Sequence, residues 1–199
     1  MALYQLSYRP RQPRTYLIEG VGQAPLWQGP RRGIQPLAGT LGRMTSTPLA
    51  VGSPAPGFSL ADQNGSPVDL ASFAGVKSVL LVFYPFAFSG ICTGELGAIR
   101  DDLGSFESEV VQTLAVSCDP MFTLRAWADR EGYFFPLLSD FWPHGRVASA
   151  YGVFDSDRGM AIRGSFLIDR SGVVAWTQVN DPGRPRDFAG YHEALRDLG

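Results

Sequence analysis

At 199 residues with 45% hydrophobic side chains, the chain can bury the core of one domain and still carry a tail. Its formal charge of −2 gives no global attraction to nucleic acid or to an anionic membrane surface. No run approaches the ~20 apolar residues of a membrane span. The two cysteines, Cys92 and Cys118, form no C-x-x-C, which excludes a disulfide scaffold and a paired-cysteine zinc site. Cysteine usage this sparse makes a reducing cytoplasm the expected compartment.

Residues 1–43 differ in composition from the rest. Six arginines against Glu19 alone give them a charge of +5, so the remainder carries −7. Prolines and glycines interrupt any apolar periodicity, and there is no apolar h-region of a secretory signal. The expectation is a disordered tail over 1–45, or upstream sequence ahead of a start at Met44. A single globular domain is expected over 46–199.

From Val51 the pattern becomes globular. Ala55–Leu60 and Ser66–Leu70 read as short strands around Asp62-Gln63-Asn64-Gly65, a strong hairpin turn. Ser78-Val79-Leu80-Leu81-Val82-Phe83 reads as a buried strand. A helix is expected from about Thr93 to Glu107, with Leu96, Ile99, Leu103 and Phe106 on one face. A second buried strand spans Val110–Ser117, followed by a helix over Thr123–Glu131 that Gly132 closes. Phe135–Leu138 is extended, and Pro143–Tyr151 carries a brief helix stopped at Gly152. Strands at Gly164–Ile168 and Val173–Gln178 flank the turn Asp169–Gly172, and a last helix runs from about Asp187 to Leu198. This alternation predicts an α/β fold with a mixed sheet. The closing hairpin and helix resemble a thioredoxin fold, to which the opening hairpin is an extra.

The chemistry converges on Tyr84–Leu96. Cys92 falls where a central strand hands over to a helix, in or just before the first helical turn. First-turn N–H groups lack partners and the helix dipole is positive there. Such a position lowers a thiol's pKa, and the thiolate is the reactive form. Ser89, three residues earlier, can donate a hydrogen bond to the sulfur or to a substrate. Pro85 fixes the loop and has no N–H to compete for the sulfur. A thiolate attacking an electrophile pushes charge onto the leaving atom, so a good site aims donors at that atom.

Pro85-x-x-x-Ser89-x-x-Cys92 resembles the active-site signature Pro-x-x-x-Thr/Ser-x-x-Cys of peroxiredoxins. Phe88–Leu96, Leu137–Gly145, Ala150–Phe154 and Arg163-Gly164-x-Phe166 are similar to the one-cysteine, alkyl hydroperoxide reductase E type of actinobacteria. The resemblance runs from about Val51 to Leu198. It implies a peroxiredoxin-type thioredoxin fold, a homodimer and thiol-dependent reduction of peroxides through a sulfenic acid on Cys92. Arg163 would contact the cysteine and the peroxide, and Glu95 would hold Arg163 in place. No bound cofactor is implied. Recycling would use an external thiol system, either mycothiol with mycoredoxin or a thioredoxin-like protein. Where the signature more often has threonine, Ser89 lacks the methyl that stiffens χ1.

The other polar residues read as structural. Cys118 ends a strand at the sheet edge that Cys92 shares, and is expected to be a buried structural cysteine rather than a resolving one. Position 97, where one peroxiredoxin group keeps its resolving cysteine, is Gly97. His144 and His192 have no metal-ligand spacing; His144 is expected to cap the short helix or line a dimer contact. Phe86, Phe88, Phe141 and Trp142 could form an apolar collar for organic hydroperoxides. A disulfide reductase is disfavoured by the missing C-x-x-C. A redox sensor or holdase, whose oxidised Cys92 is read by a partner, is the alternative from another class.

Overall fold

A computed structural model describes residues 47–196. The expected tail and the domain boundary near residue 45 lie outside them. At the centre is β3 (Ser78–Phe83), all six residues of which are buried. Period two sends Val79, Leu81 and Phe83 to one apolar core and Leu80 and Val82 to another, so the unbroken apolar run is a strand covered on both faces. A Leu→Ala change at such a position costs roughly 2–5 kcal/mol.

Around β3 the sheet assembles from β1 (Ser59–Ala61), β2 (Pro67–Asp69), β4 (Val111–Ser117), β5 (Leu137–Ser139), β8 (Arg163–Ile168) and β9 (Val174–Asn180). The order is β2-β1-β5-β4-β3-β8-β9. β3, β4 and β5 are parallel, whereas the β1–β2 hairpin and the β8–β9 hairpin add antiparallel edges. The mixed α/β sheet is therefore as expected, with the opening hairpin appended through β1 to β5. Asp62 Oδ1 closes that hairpin by accepting from the N–H groups of Asn64 and Ser66, both at 2.8 Å.

Helices α1 (Gly90–Asp101), α2 (Leu103–Phe106), α3 (Met121–Glu131) and α5 (Ala189–Arg196) bury Leu96, Ile99, Phe106, Leu124, Trp127 and Tyr191 on the Leu80/Val82 face. The opposite face is covered by α4 (Arg146–Ala150) through Val147 and Ala148, with Tyr151 beside them. Gly132 ends α3 at φ 72°, as the sequence predicts.

Three details differ from expectation. The helix expected over 93–107 begins at Gly90 and divides at Asp102. Ser89 is the N-cap residue, its carbonyl accepting from Thr93 N–H at 2.9 Å. Asp102 bends away at φ −124° and takes the Ser105 hydroxyl at 2.8 Å, the local bonding by which Asp interrupts a helix. The short helix near His144 is not capped by that histidine. Asp140 caps it, accepting from Val147 and Ala148 N–H at 3.1 and 2.8 Å, while the His144 ring bonds the carbonyls of Phe141 and Gly159. A small separate hairpin, β6 (Phe154–Asp155) with β7 (Met160–Ala161), was not foreseen; two-residue strands carry no alternation to read.

Candidate active site

The site is built where β3 ends. Tyr84 continues the ladder by one bond, its N–H donating to Val116 O at 3.0 Å. Pro85 is buried and can donate nothing further. The loop then turns through Phe88, whose φ of 63° is left-handed and uncommon for a residue with a Cβ. Ser89 follows in extended geometry, and α1 begins. Cys92 is the third residue of α1 and has no exposed surface.

Arg163 reaches the sulfur through sheet register. Val82 pairs with Ser165 in the antiparallel β3–β8 ladder, so Arg163, two residues earlier, lies beside the end of β3. Period two points it to the face that holds α1. Its Nη1 stands 3.4 Å from Cys92 Sγ and donates to Glu95 Oε2 at 2.5 Å, while Nε donates to Pro182 O at 2.9 Å. No hydrogen bond runs from its Nη2 among the described residues, which leaves a donor for a substrate. Gly164 beside it is required by packing: a Cβ there would stand 2.6 Å from Val153 Cγ1.

Glu95 sits one turn beyond Cys92 and bridges two guanidiniums. Arg186 Nη1 donates to the same Oε2 at 2.5 Å, and Arg186 N–H donates to Oε1 at 2.8 Å. Arg186 also donates to Phe83 O and, at 3.1 Å, to Ser165 Oγ, tying the ends of β3 and β8 to α1. Arg163, Arg186 and Glu95 are 2%, 6% and 5% exposed, so two positive charges and one negative are held out of water. Arg186 was invisible to sequence reasoning. It sits in a Pro- and Gly-rich loop beside Arg184, with no motif to distinguish the two.

The Ser89 Oγ is buried and has no partner, and it does not cap α1. A buried hydroxyl without a partner is costly unless something arrives to use it. Beneath α1 lies an aromatic wall: the Trp127 ring is 5.4 Å from Tyr84, 5.0 Å from Tyr133 and 6.1 Å from Phe88. Burial pushes the Tyr133 hydroxyl up to about 12, so it stays neutral and donates to Thr93 O at 3.3 Å.

Cys118 and Cys92 belong to opposite faces of the sheet. Leu114 and Val116 face the α4 core, and Cys118 continues their parity, beside Ala161 and Asp140. Burial, reinforced by the Asp140 carboxylate, pushes the Cys118 thiol up to about 12. The expected aromatic collar is only half assembled. Phe86 and Phe88 are half-exposed on the loop, but Phe141 packs against His144 at 6.2 Å and Trp142 is 81% exposed. Among the described residues no group of three or more His, Cys, Asp or Glu side chains could hold a metal, and no helix is long and apolar enough to cross a membrane.

The site thus sets a buried thiol in the first turn of α1 at the edge of a thioredoxin-like sheet, with an arginine on the sulfur and a carboxylate behind that arginine. Residues 51–177 match the model of the AhpC/TSA family. The alkyl hydroperoxide reductase E of Mycobacterium tuberculosis is 49% identical over 150 residues, which are 75% of this chain and 98% of that protein. The chloroplastic 2-Cys peroxiredoxin BAS1 of Spinacia oleracea is 35% identical across 74% of this chain and 58% of its own. Among solved structures, the reduced 2-Cys peroxiredoxin of Plasmodium vivax superposes with a TM-score of 0.67 at 30% identity, covering 75% of this chain and 81% of its own. The chain belongs to the AhpC/TSA family, and within it is a peroxiredoxin of the alkyl hydroperoxide reductase E type.

Proposed function

We propose that Cys92 is the peroxidatic nucleophile and that the chain reduces hydrogen peroxide and organic hydroperoxides, with peroxynitrite a further substrate. The observation that carries this reading is the Arg163 guanidinium at 3.4 Å from Cys92 Sγ, both buried. The thiolate attacks one peroxide oxygen in line with the O–O bond. A sulfur–oxygen bond forms, the O–O bond breaks, and the sulfur loses two electrons to the substrate. The leaving oxygen departs as hydroxide or alkoxide and takes a proton, giving water or an alcohol. Arg163 Nη2 and Ser89 Oγ are the donors available to that developing charge, which is where donors accelerate the step. Glu95 holds Arg163, and Pro85 keeps competing N–H groups away.

Cys92 has no exposed surface, so a peroxide enters when the loop Pro85–Ser89 yields and reacts once the loop has closed on it. Recycling also needs the first turn of α1 to open. An external thiol condenses with the sulfenic acid, releasing water and leaving a mixed disulfide, and a second thiol displaces the Cys92 thiolate. The reductant is mycothiol with mycoredoxin or a thioredoxin-like protein. The working form is a cytoplasmic homodimer. Support for organic hydroperoxides comes from the half-exposed Phe86 and Phe88 and from the name of the 49% identical relatives.

Stopped-flow peroxide consumption by the reduced protein, with mass spectrometry after one equivalent, tests the reading. A sulfenic acid on Cys92, absent in Cys92→Ser, is expected. Peroxide consumption that persists in Cys92→Ser rules the assignment out.

A further inference from the structure

The loop that carries Ser89 is tied to the rest of the fold by a single hydrogen bond. Among the described residues, Ala87 N–H is the only backbone group of residues 85–88 that bonds outside the loop, and it donates to Asp119 Oδ2 at 2.8 Å. Asp119 is itself firmly held just past the end of β4. The same Oδ2 accepts the Ser117 hydroxyl at 2.9 Å, and Asp119 O accepts the Ser139 hydroxyl of β5 at 2.7 Å. Next along the loop, Phe88 holds its left-handed φ of 63° and rests its ring against Trp127 and under Arg130, whose Cζ is 5.8 Å from the ring centroid. Ser89 and the first turn of α1 follow directly.

We infer that Asp119 is a positioning residue for peroxide reduction: its carboxylate oxygen fixes Ala87 N–H, and so returns the unpartnered Ser89 hydroxyl to one place each time the loop closes. An uncommon backbone conformation persists only where its surroundings hold it. Here the surroundings are one acceptor on one side and, on the other, the Trp127 ring and the Arg130 guanidinium against Phe88. Placement matters because a displacement of about 1 Å at a reacting group costs up to about 10²-fold in rate. The inference rests on the role proposed for Ser89 and Cys92.

Both donors converge on one carboxylate oxygen, which makes the idea separable from a simple effect of charge. An asparagine presents one carbonyl oxygen and can accept both bonds. Asp119→Asn is therefore expected to reduce hydrogen peroxide within about threefold of the unaltered protein. Asp119→Ala is expected to be about tenfold slower or more, while alkylation of Cys92 by iodoacetamide, which needs no aimed donor and gains from a looser loop, is not slowed. Ala87→Pro removes the donor instead of the acceptor. It is expected to match Asp119→Ala, and the double variant to be no slower than either single one. Urea midpoints identify any variant that is not folded at the assay temperature, and the Ala87→Pro and Asp119→Ala arms serve as independent routes to the same answer. The inference falls if Asp119→Asn is as slow as Asp119→Ala, if alkylation slows in step with peroxide reduction, or if both tether variants react at the unaltered rate. Failure of the unaltered protein to consume peroxide removes the underlying reading as well, which keeps the two failures distinct.

Discussion

Glu95 and Arg163 meet at 2.5 Å with side chains only 4% and 3% exposed, and the second guanidinium on Glu95, that of Arg186, is wholly buried. One carboxylate thus answers for two arginines. Glu95→Gln keeps the shape but takes away the carboxylate that faces both guanidiniums. Breaking a buried pair in this way costs about 3–5 kcal/mol. The urea midpoint of Glu95→Gln should fall accordingly, and an unchanged midpoint would show that water reaches the pair.

Arg163 makes its contacts from two points of its planar fork: Nε on Pro182 O, and Nη1 on both Glu95 and the sulfur. Lysine keeps the charge but has no planar fork. Arg163→Lys should reduce hydrogen peroxide about 10²-fold more slowly, the loss expected when one aimed donor is removed from a developing oxyanion. A second-order rate close to that of the unaltered protein in stopped flow would mean that charge alone suffices.

Ser89 separates catalysis from stability. Its Oγ makes no hydrogen bond in the resting protein, so Ser89→Ala should leave the urea midpoint within about 0.5 kcal/mol of the starting value. The same change should slow peroxide reduction by about 10²-fold. Ser89→Thr, which returns the hydroxyl on a stiffer side chain, should restore the rate.

Cys118 should be a bystander. It lies on the opposite face of the sheet from Cys92, and its thiol is pushed up to about 12 by burial. Cys118→Ser is expected to reduce peroxide at the unaltered rate. Intact-mass analysis after one equivalent of peroxide should show no loss of two protons from a Cys92–Cys118 bridge; finding that bridge would reverse the assignment.

Asp169 supplies a pH dependence whose sign is fixed. Its carboxylate accepts from the Ser171 hydroxyl at 2.6 Å and from Ser171 and Val173 N–H at 2.9 Å, and these bonds, the hydroxyl's foremost, hold it below the usual carboxylate range. A lowered folded value means that the unfolded chain binds the proton first. The stabilisation is then full above the ordinary carboxylate value of 3.8 and is lost as pH falls through the folded value. Urea midpoints measured between about pH 2 and 6 should fall less steeply on acidification in Asp169→Asn than in the unaltered protein. Parallel curves would count against the turn as the source.

Much of this was legible in local pattern. The run 78–83 reads as a strand covered on both faces because it is short, apolar, β-branched and bounded by turn formers. Gly132 could end α3 because glycine meets the left-handed conformation without strain. The strand-to-helix junction at Cys92 was legible because the apolar run before it and the helical spacing after it are both local patterns, and the Pro85, Ser89, Cys92 signature came from resemblance. The first turn of α1 was missed by three residues, since Gly90 and Ile91 carry no helical signature and need no intrahelical donor bond. Phe141, expected in an apolar collar with Phe86 and Phe88, sets its ring beside His144, a neighbour that hydrophobicity alone does not reveal.

The sequence by itself determined the strands of the main sheet and the strand-to-helix junction at which Cys92 falls, since strand periodicity, turn residues and a helix N-terminus are effects of neighbours. Only the tertiary structure decided that Arg186 shares Glu95 with Arg163, that Asp119 holds Ala87, and that Cys118 faces away. Those relationships join residues 91, 32 and 26 positions apart, and closing the sheet creates them: β-register sets which side chain arrives beside which, and no local rule reports it.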